Sequence, residues 1–146
     1  MEDQPYSVSA NVRAALDFLE AIERGDAAAA SRAYDAQAIQ TELPNALKPR
    51  GDRRGVEQLA ADFERGRKLL ARQTYEVGAV TAQMNRVVLE VKWTGIVASD
   101  FGKLKAGDAM VAHSAICFDF RDGKIVAQRN YDCFESQPLP SLDLAR

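Results

Sequence analysis

Apolar residues in the first half of the chain recur at steps of three and four. Val12, Ala15, Leu16, Leu19 and Ile22 therefore share one face of a helix, and Asp17, Glu20, Glu23 and Arg24 take the other. Gly25 can adopt the left-handed conformation that ends a helix. Asp26 can cap a second helix, reaching about residue 36, by accepting the free N–H groups of its first turn. Residues 39–42 read as a short extended piece, and Pro44, Pro49 and Gly51 as a loop. A third helix is predicted over 53–71, burying Val56, Leu59, Ala60, Phe63 and Leu70. Its awkward residue is Gly66, which costs about 1 kcal/mol relative to Ala.

From Tyr75 onward the period changes to two. Tyr75, Val77 and Ala79 alternate, as do Val87, Leu89, Val91 and Trp93, with Met84-Asn85 as the turn between them. Residues 95–107 form a polar, Gly-bearing connection, either a long hairpin loop or a ragged strand extension. Strands over 110–120 and 124–134 flank Arg121-Asp122-Gly123, read as a three-residue loop with Gly123 at the left-handed bulge position. That loop pairs Phe120 with Lys124. Helices followed by antiparallel strands give an α+β fold, its helices against one face of a curved sheet. A sheet curled in this way is a cone open at one end, where small-molecule pockets are common.

Composition narrows the chemistry. The chain has 146 residues, a net charge of -2, one histidine and two cysteines. That length suits one domain over 1–146, with 1–8 and 136–146 as peripheral tails. A near-neutral, slightly acidic chain lacks the basic stripe that nucleic acid requires. One histidine excludes paired-His metal motifs, and two cysteines make neither a four-thiolate zinc site nor a disulfide scaffold. No apolar run is long enough for a membrane span, and the N-terminus lacks a signal-peptide core. A cytoplasmic protein with reduced thiols, no metal and no cofactor is expected.

The element order, with Glu-Arg-Gly-Asp at 23–26 and Asp-Gly-Lys-Ile-Val-Ala-Gln-Arg-Asn-Tyr-Asp at 122–132, resembles the nuclear transport factor two-like superfamily. Within it the chain is similar to SnoaL-like polyketide cyclases and ketosteroid isomerases. The resemblance implies a cystatin-like α+β barrel, a cone-shaped antiparallel sheet wrapped around three N-terminal helices. Position by position, Glu42 matches the isomerase general base and Tyr34 a second-helix tyrosine. Phe18 and Ile116 stand where the isomerase has its oxyanion donors, and neither can donate. The cyclases place a catalytic Asp near Asp132.

On strand alternation, Gln128, Asn130, Asp132 and Phe134 share a face. With the three-residue loop, Ile116 and Phe118 join them. Asp132 beside Phe118 and Trp93 would be partly desolvated and its pKa raised, as a general acid or base needs; otherwise it is a solvated strand-end carboxylate. Glu42 either pairs with Asp132 at the cone mouth or is an exposed loop glutamate. Tyr34, Phe63, Trp93, Met110, Phe118 and Asn130 are the expected ligand-binding wall, each equally able to be core. His113 faces Asp132 if the loop has two residues and Tyr131, on the outer face, if it has three. The outer face (Val111, His113, Ala115, Cys117, Ile125, Ala127, Tyr131, Cys133) is too apolar for solvent and reads as a homodimer interface. Cys117 and Cys133 fit there as buried thiols. Arg129 reads as an outward ion-pair residue, and Asp52-Arg53-Arg54 as a solvated cluster. These residues point to a binder of a small apolar carbonyl compound, with a cofactor-free isomerase or cyclase acting through Asp132 as its catalytic form. The alternative is a non-catalytic ligand-binding or dimerisation module.

Overall fold

The computed structural model describes residues 7–135, 139, 140 and 142; the rest of both tails, Pro138 included, lies outside the described residues. Helix α1 (Val8–Glu23) opens with Ser7, whose hydroxyl accepts from the Ala10 N–H, and closes at Gly25, φ 73°. Asp26 caps α2 (Ala27–Arg32) by accepting the Ala29 N–H at 3.0 Å. This helix stops before residue 36, and Tyr34 starts strand β1 (Tyr34–Glu42). Strand β2 (Asp52–Arg54) precedes α3 (Val56–Leu69), so the Arg53–Arg54 pair lies on a strand and not in the third helix. Strands β3 (Leu70–Gln83), β4 (Arg86–Val97), β5 (Ala109–Arg121) and β6 (Lys124–Phe134) complete the chain. The 98–108 segment is a loop carrying one bridge, Phe101 to Leu104.

The six strands run in the order β2-β1-β6-β5-β4-β3. Neighbours are antiparallel except β1 and β6, which are parallel, so the sheet is mixed. It is also unclosed, since β2 and β3 remain its two edges. The helices lie against one face, α1 on β3 and β4 and α3 on β1 and β3. Phe18 of α1 is the hub of the core. It meets Tyr34, Phe63 and Phe118 edge-on, with ring centroids 5.3, 6.4 and 5.8 Å away. A smaller cluster of Val97, Leu104 and Met110 packs at the other end with Leu70, Trp93 and Leu139. No helix of the described residues is long and apolar enough to cross a membrane.

The last hairpin corrects the sequence reading. Arg121 pairs with Lys124, so the loop has two residues, Asp122 (φ 50°) and Gly123 (φ 77°). Two positive φ values make a type I′ turn, whose twist suits a two-residue hairpin. The register then shifts between Asp119 and Phe120, leaving an extra residue on β6. Phe120 and Ile125 pair below this bulge, and Ile125 turns into the core and not to the outer face. Beyond it Ser114 pairs with Asp132, His113 with Cys133, and Cys117 with Arg129. A Cβ at Gly123 would sit on left-handed backbone, disfavoured by about 1–2 kcal/mol. Gly123→Ala is expected to lower the unfolding free energy by about that amount, while Asp122→Asn leaves it unchanged; urea titration of both variants checks this.

Candidate functional site

The cone holds two adjoining cavities, of about 310 and 210 Å3. Glu42, Gln73, Tyr75, Trp93, Ile116 and Asn130 line both. The larger is floored by apolar side chains from α1 and α3, among them Phe18, Ile22, Leu59 and Phe63. The smaller contains Asp132, Ser114 and Phe134. Leu142, in the tail expected to be peripheral, lines the larger cavity, and its backbone N–H donates to the Leu47 carbonyl.

Asp132 points inward because the β5–β6 register places it opposite Ser114, an inward residue of β5. The Ser114 hydroxyl donates to its Oδ1 at 2.7 Å. Burial raises the Asp132 carboxyl above its ordinary 3.8. The Ser114 bond opposes that rise, the charge of Glu42 adds to it, and Arg54 offsets part of it. Trp93 and Phe134 meet edge-on at 6.3 Å nearby. The Trp93 indole N–H donates to Gln73 at 2.9 Å, so the ring's polar end is already satisfied.

Glu42 ends β1 and is no exposed loop residue. It accepts from Asn45 at 2.9 Å and from Arg54 at 3.1 Å. Arg54 reaches it because β2 folds back on β1 and places Arg54 opposite Gln40. This arginine also donates to Gln40 and, at 2.9 Å, to Asp62 of α3. With a side chain only 10% exposed, it is a buried cation of the cone and not a solvated residue.

The other expected residues divide. Trp93, Asn130 and Phe63 line the cavities. Phe118 is wholly buried behind the wall, because its strand neighbours and Phe18 cover it, and Met110 belongs to the smaller apolar cluster; neither lines a cavity. Tyr34 lies behind the wall too, its hydroxyl bonded to Gln128. His113 faces outward, 2.8 Å from Glu135, so no His113–Asp132 pair forms. Cys133 is exposed and not buried, and Cys117 is half-buried. Arg129 binds Asp119 on the outer face at 2.9 Å, as an outward residue should.

Sequence reasoning missed Arg54, Gln73, Ser114 and Tyr75. Tyr75 had a usable signal, since its strand alternates and a phenol on the inward side must face the cone. Burial pushes that phenol well above its ordinary value, with Asp132 adding to the effect, so it stays protonated. Among the described residues no group of His, Cys, Asp or Glu is placed to hold a metal ion.

The arrangement is a carboxyl of raised pKa, a buried fixed ion pair, and amide and phenol groups around an apolar hollow. Solved structures share the fold. A proposed polyketide cyclase from Xanthomonas campestris pv. campestris superposes with a TM-score of 0.71 at 26% identity, over 85% of this chain and 90% of that one. AclR, a proposed hydroxylase from Streptomyces galilaeus, gives 0.73 at 18% identity over 90% and 79%. An epoxide hydrolase of M. tuberculosis similar to limonene epoxide hydrolase gives 0.68 at 19% over 88% and 84%. A search of curated protein sequences finds no match. The model of the SnoaL-like domain matches residues 15–128, most of the cone and its helices, and the chain belongs to that family.

Proposed function

We propose that the cone binds a compact, largely apolar carbonyl compound and that Asp132 is its general acid and base. As a carboxylate, Asp132 takes a proton from the carbon beside the carbonyl, and the electron pair moves onto the carbonyl oxygen. Where a carbon–carbon double bond is conjugated with it, the enolate regains the proton from Asp132 at the far carbon, an isomerisation; otherwise it attacks a second carbonyl of the same molecule and the new alkoxide takes that proton, a cyclisation. Glu42 and Asn130 stand beside it. The observation that carries this reading is the raised carboxyl of Asp132 in a cavity shared with Trp93, Tyr75 and Asn130. A group poised nearer to working pH is what proton transfer calls for. The likeness to a proposed polyketide cyclase points the same way. The experiment is exchange of the C2 protons of 1-tetralone into D2O, followed by NMR. No acceleration over buffer would leave the non-catalytic binding module as the better description.

We also propose that two copies pair through the outer sheet face. Tyr131 is 45% exposed there, beside Ala115 and Cys133 in a shallow hollow. Burying the exposed part of such a side chain is worth about 1 kcal/mol in each copy. Tyr131→Glu adds a carboxylate from each copy to a face that already carries Glu76 and Glu90, and is expected to give a monomer by sedimentation velocity where the wild type is a dimer. A monomeric wild type sinks the pairing. Two free thiols fit a reducing, cytoplasmic setting.

A further inference from the structure

The two ends of a carboxamide are nearly the same shape, so its hydrogen-bond partners decide which end faces a ligand. Around Asn130 those partners run in one direction, and the run starts at a cation. A guanidinium has donors only. Arg54 Nη2 donates to Gln40 Oε1, which turns the Gln40 N–H2 the other way. Gln40 Nε2 lies 3.4 Å from the Tyr34 hydroxyl oxygen and donates to it. Tyr34 then gives its single proton to Gln128 Oε1. Gln128 Nε2 donates to Asn130 Oδ1 at 2.9 Å. With its oxygen engaged, Asn130 has only its N–H2 left, and no partner for Nδ2 occurs among the described residues. Asn130 lines both cavities.

Reversing a link would set donor against donor or, at Tyr34, leave the phenol proton without an acceptor. Gln40, Tyr34 and Gln128 are 4%, 6% and 2% exposed, so water cannot relieve the mismatch. The polarity of the chain is therefore set at Arg54 and delivered at the cavity. Asn130 and Asp132 are two residues apart on one strand face, which puts a fixed donor beside the carboxyl.

We propose that Asn130 is the donor that receives the ligand's carbonyl oxygen, and that Arg54 sets the direction of its amide through Gln40, Tyr34 and Gln128. This rests on reading the cone as a carbonyl site. It defines the ligand further: the oxygen at this point is an acceptor, a ketone or its enolate, and groups that only donate are refused. Phe18 and Ile116 leave the usual donor places empty of polar groups, and Asn130 supplies one from a different strand. Asn130 is the contact residue, and Tyr34 and Gln128 are positioning residues.

The test compares 1-tetralone with tetralin, ligands of one shape that differ by a single acceptor oxygen. Trp93 is the sole tryptophan and lines both cavities, so its quenching reads the ketone and competition reads tetralin. The wild type is expected to prefer the ketone by about fivefold to tenfold, the worth of one net hydrogen bond. Tyr34→Phe removes one hydroxyl in mid-chain and Gln128→Glu replaces a donor by an acceptor. Both are expected to cut the preference to about twofold or less, with tetralin affinity unchanged, and Asn130→Asp to abolish it. A purely structural role would weaken both ligands together. A preference that survives in Tyr34→Phe and Gln128→Glu overturns the proposal, and so does a wild type with no preference or no binding. Asp132→Asn should retain the preference. Proton exchange that survives in Asp132→Asn, with the preference behaving as expected, would count against Asp132 as the base and leave the donor assignment standing.

Discussion

Asp132→Asn will slow exchange of the C2 protons of 1-tetralone by about 10²–10⁴-fold, the usual contribution of one positioned general base. The amide has nearly the same size and can still accept from Ser114, which sits 2.7 Å from the carboxylate it replaces. Ketone affinity is therefore expected to change little, and the loss to appear in the rate. In the wild type the rate should rise with pH as Asp132 ionises, and its inflection should lie above 3.8, because burial and then the charge of Glu42 disfavour the ionised form. The same cause has a stability consequence of fixed sign. The folded protein holds the Asp132 proton to a higher pH than the unfolded chain does. Between those two pKa values stability falls as pH rises, and above both the penalty stays in full. Asp132→Asn, neutral at every pH, should thus melt above the wild type at pH 7, with the gap closing towards pH 3. A rate unaffected by the substitution would end the role given to Asp132, and an unchanged melting temperature at pH 7 would show that the carboxylate bears no such penalty.

The inward placement of Asp132 was legible for a reason specific to the last hairpin. Side-chain facing has a period of two, so an error of one residue in the loop turns the whole strand over. Reading Arg121-Asp122-Gly123 as a three-residue loop overcounts by one. The bulge between Asp119 and Phe120 restores the phase, because its extra residue flips the strand a second time. Asn130 and Asp132 consequently face where the three-residue loop puts them, while their partners slide by two. Lys124 and Ile125 form the two-residue stretch before the bulge, and that is why they changed sides.

The hydrogen-bonded wall was not legible, because it is made of contacts between distant segments. Tyr34 and Gln128 are 94 positions apart, and no periodicity relates them. Gln128 was visible as a neighbour of Asn130 on one face, yet nothing in the spacing says that a helix ends early enough to make Tyr34 a strand residue. Arg54 was hidden differently. Three charges in a row look solvated, and only the return of β2 along β1 carries the third of them inside. The apolar stripe of α1 was readable, and Phe18 was noted only for the hydroxyl it lacks. Its place at the centre of three other aromatic rings depends on residues from β1, α3 and β5.

Arg54→Met will destabilise the protein by about 3 kcal/mol, at the low end for breaking a buried ion pair, because Arg54 and Glu42 keep 10% and 15% exposure. Methionine fills similar volume, so the loss comes from charge. Glu42 is left buried without its Arg54 partner, and Asp62 keeps its contacts on α3 with Gln58 and Arg65. For a domain of this size the melting temperature should drop by about 10 °C. Glu42→Gln in the same chain removes the stranded charge, and the double variant should recover most of the loss. A double variant no better than Arg54→Met would place the cost in packing instead. The two substitutions should also move Asp132 in opposite directions. Arg54 holds its carboxyl down and Glu42 holds it up. Arg54→Met therefore shifts the exchange inflection to higher pH and Glu42→Gln to lower pH. Arg54→Met has one more effect that Glu42→Gln lacks. Without an obligate donor at its head, Gln40 can turn over, Tyr34 and Gln128 can follow, and Asn130 can offer its oxygen to the cavity. Loss of ketone preference in Arg54→Met, with preference kept in Glu42→Gln, separates the guanidinium's two tasks: neutralising a carboxylate, and giving the hydrogen bonds behind the cavity their direction.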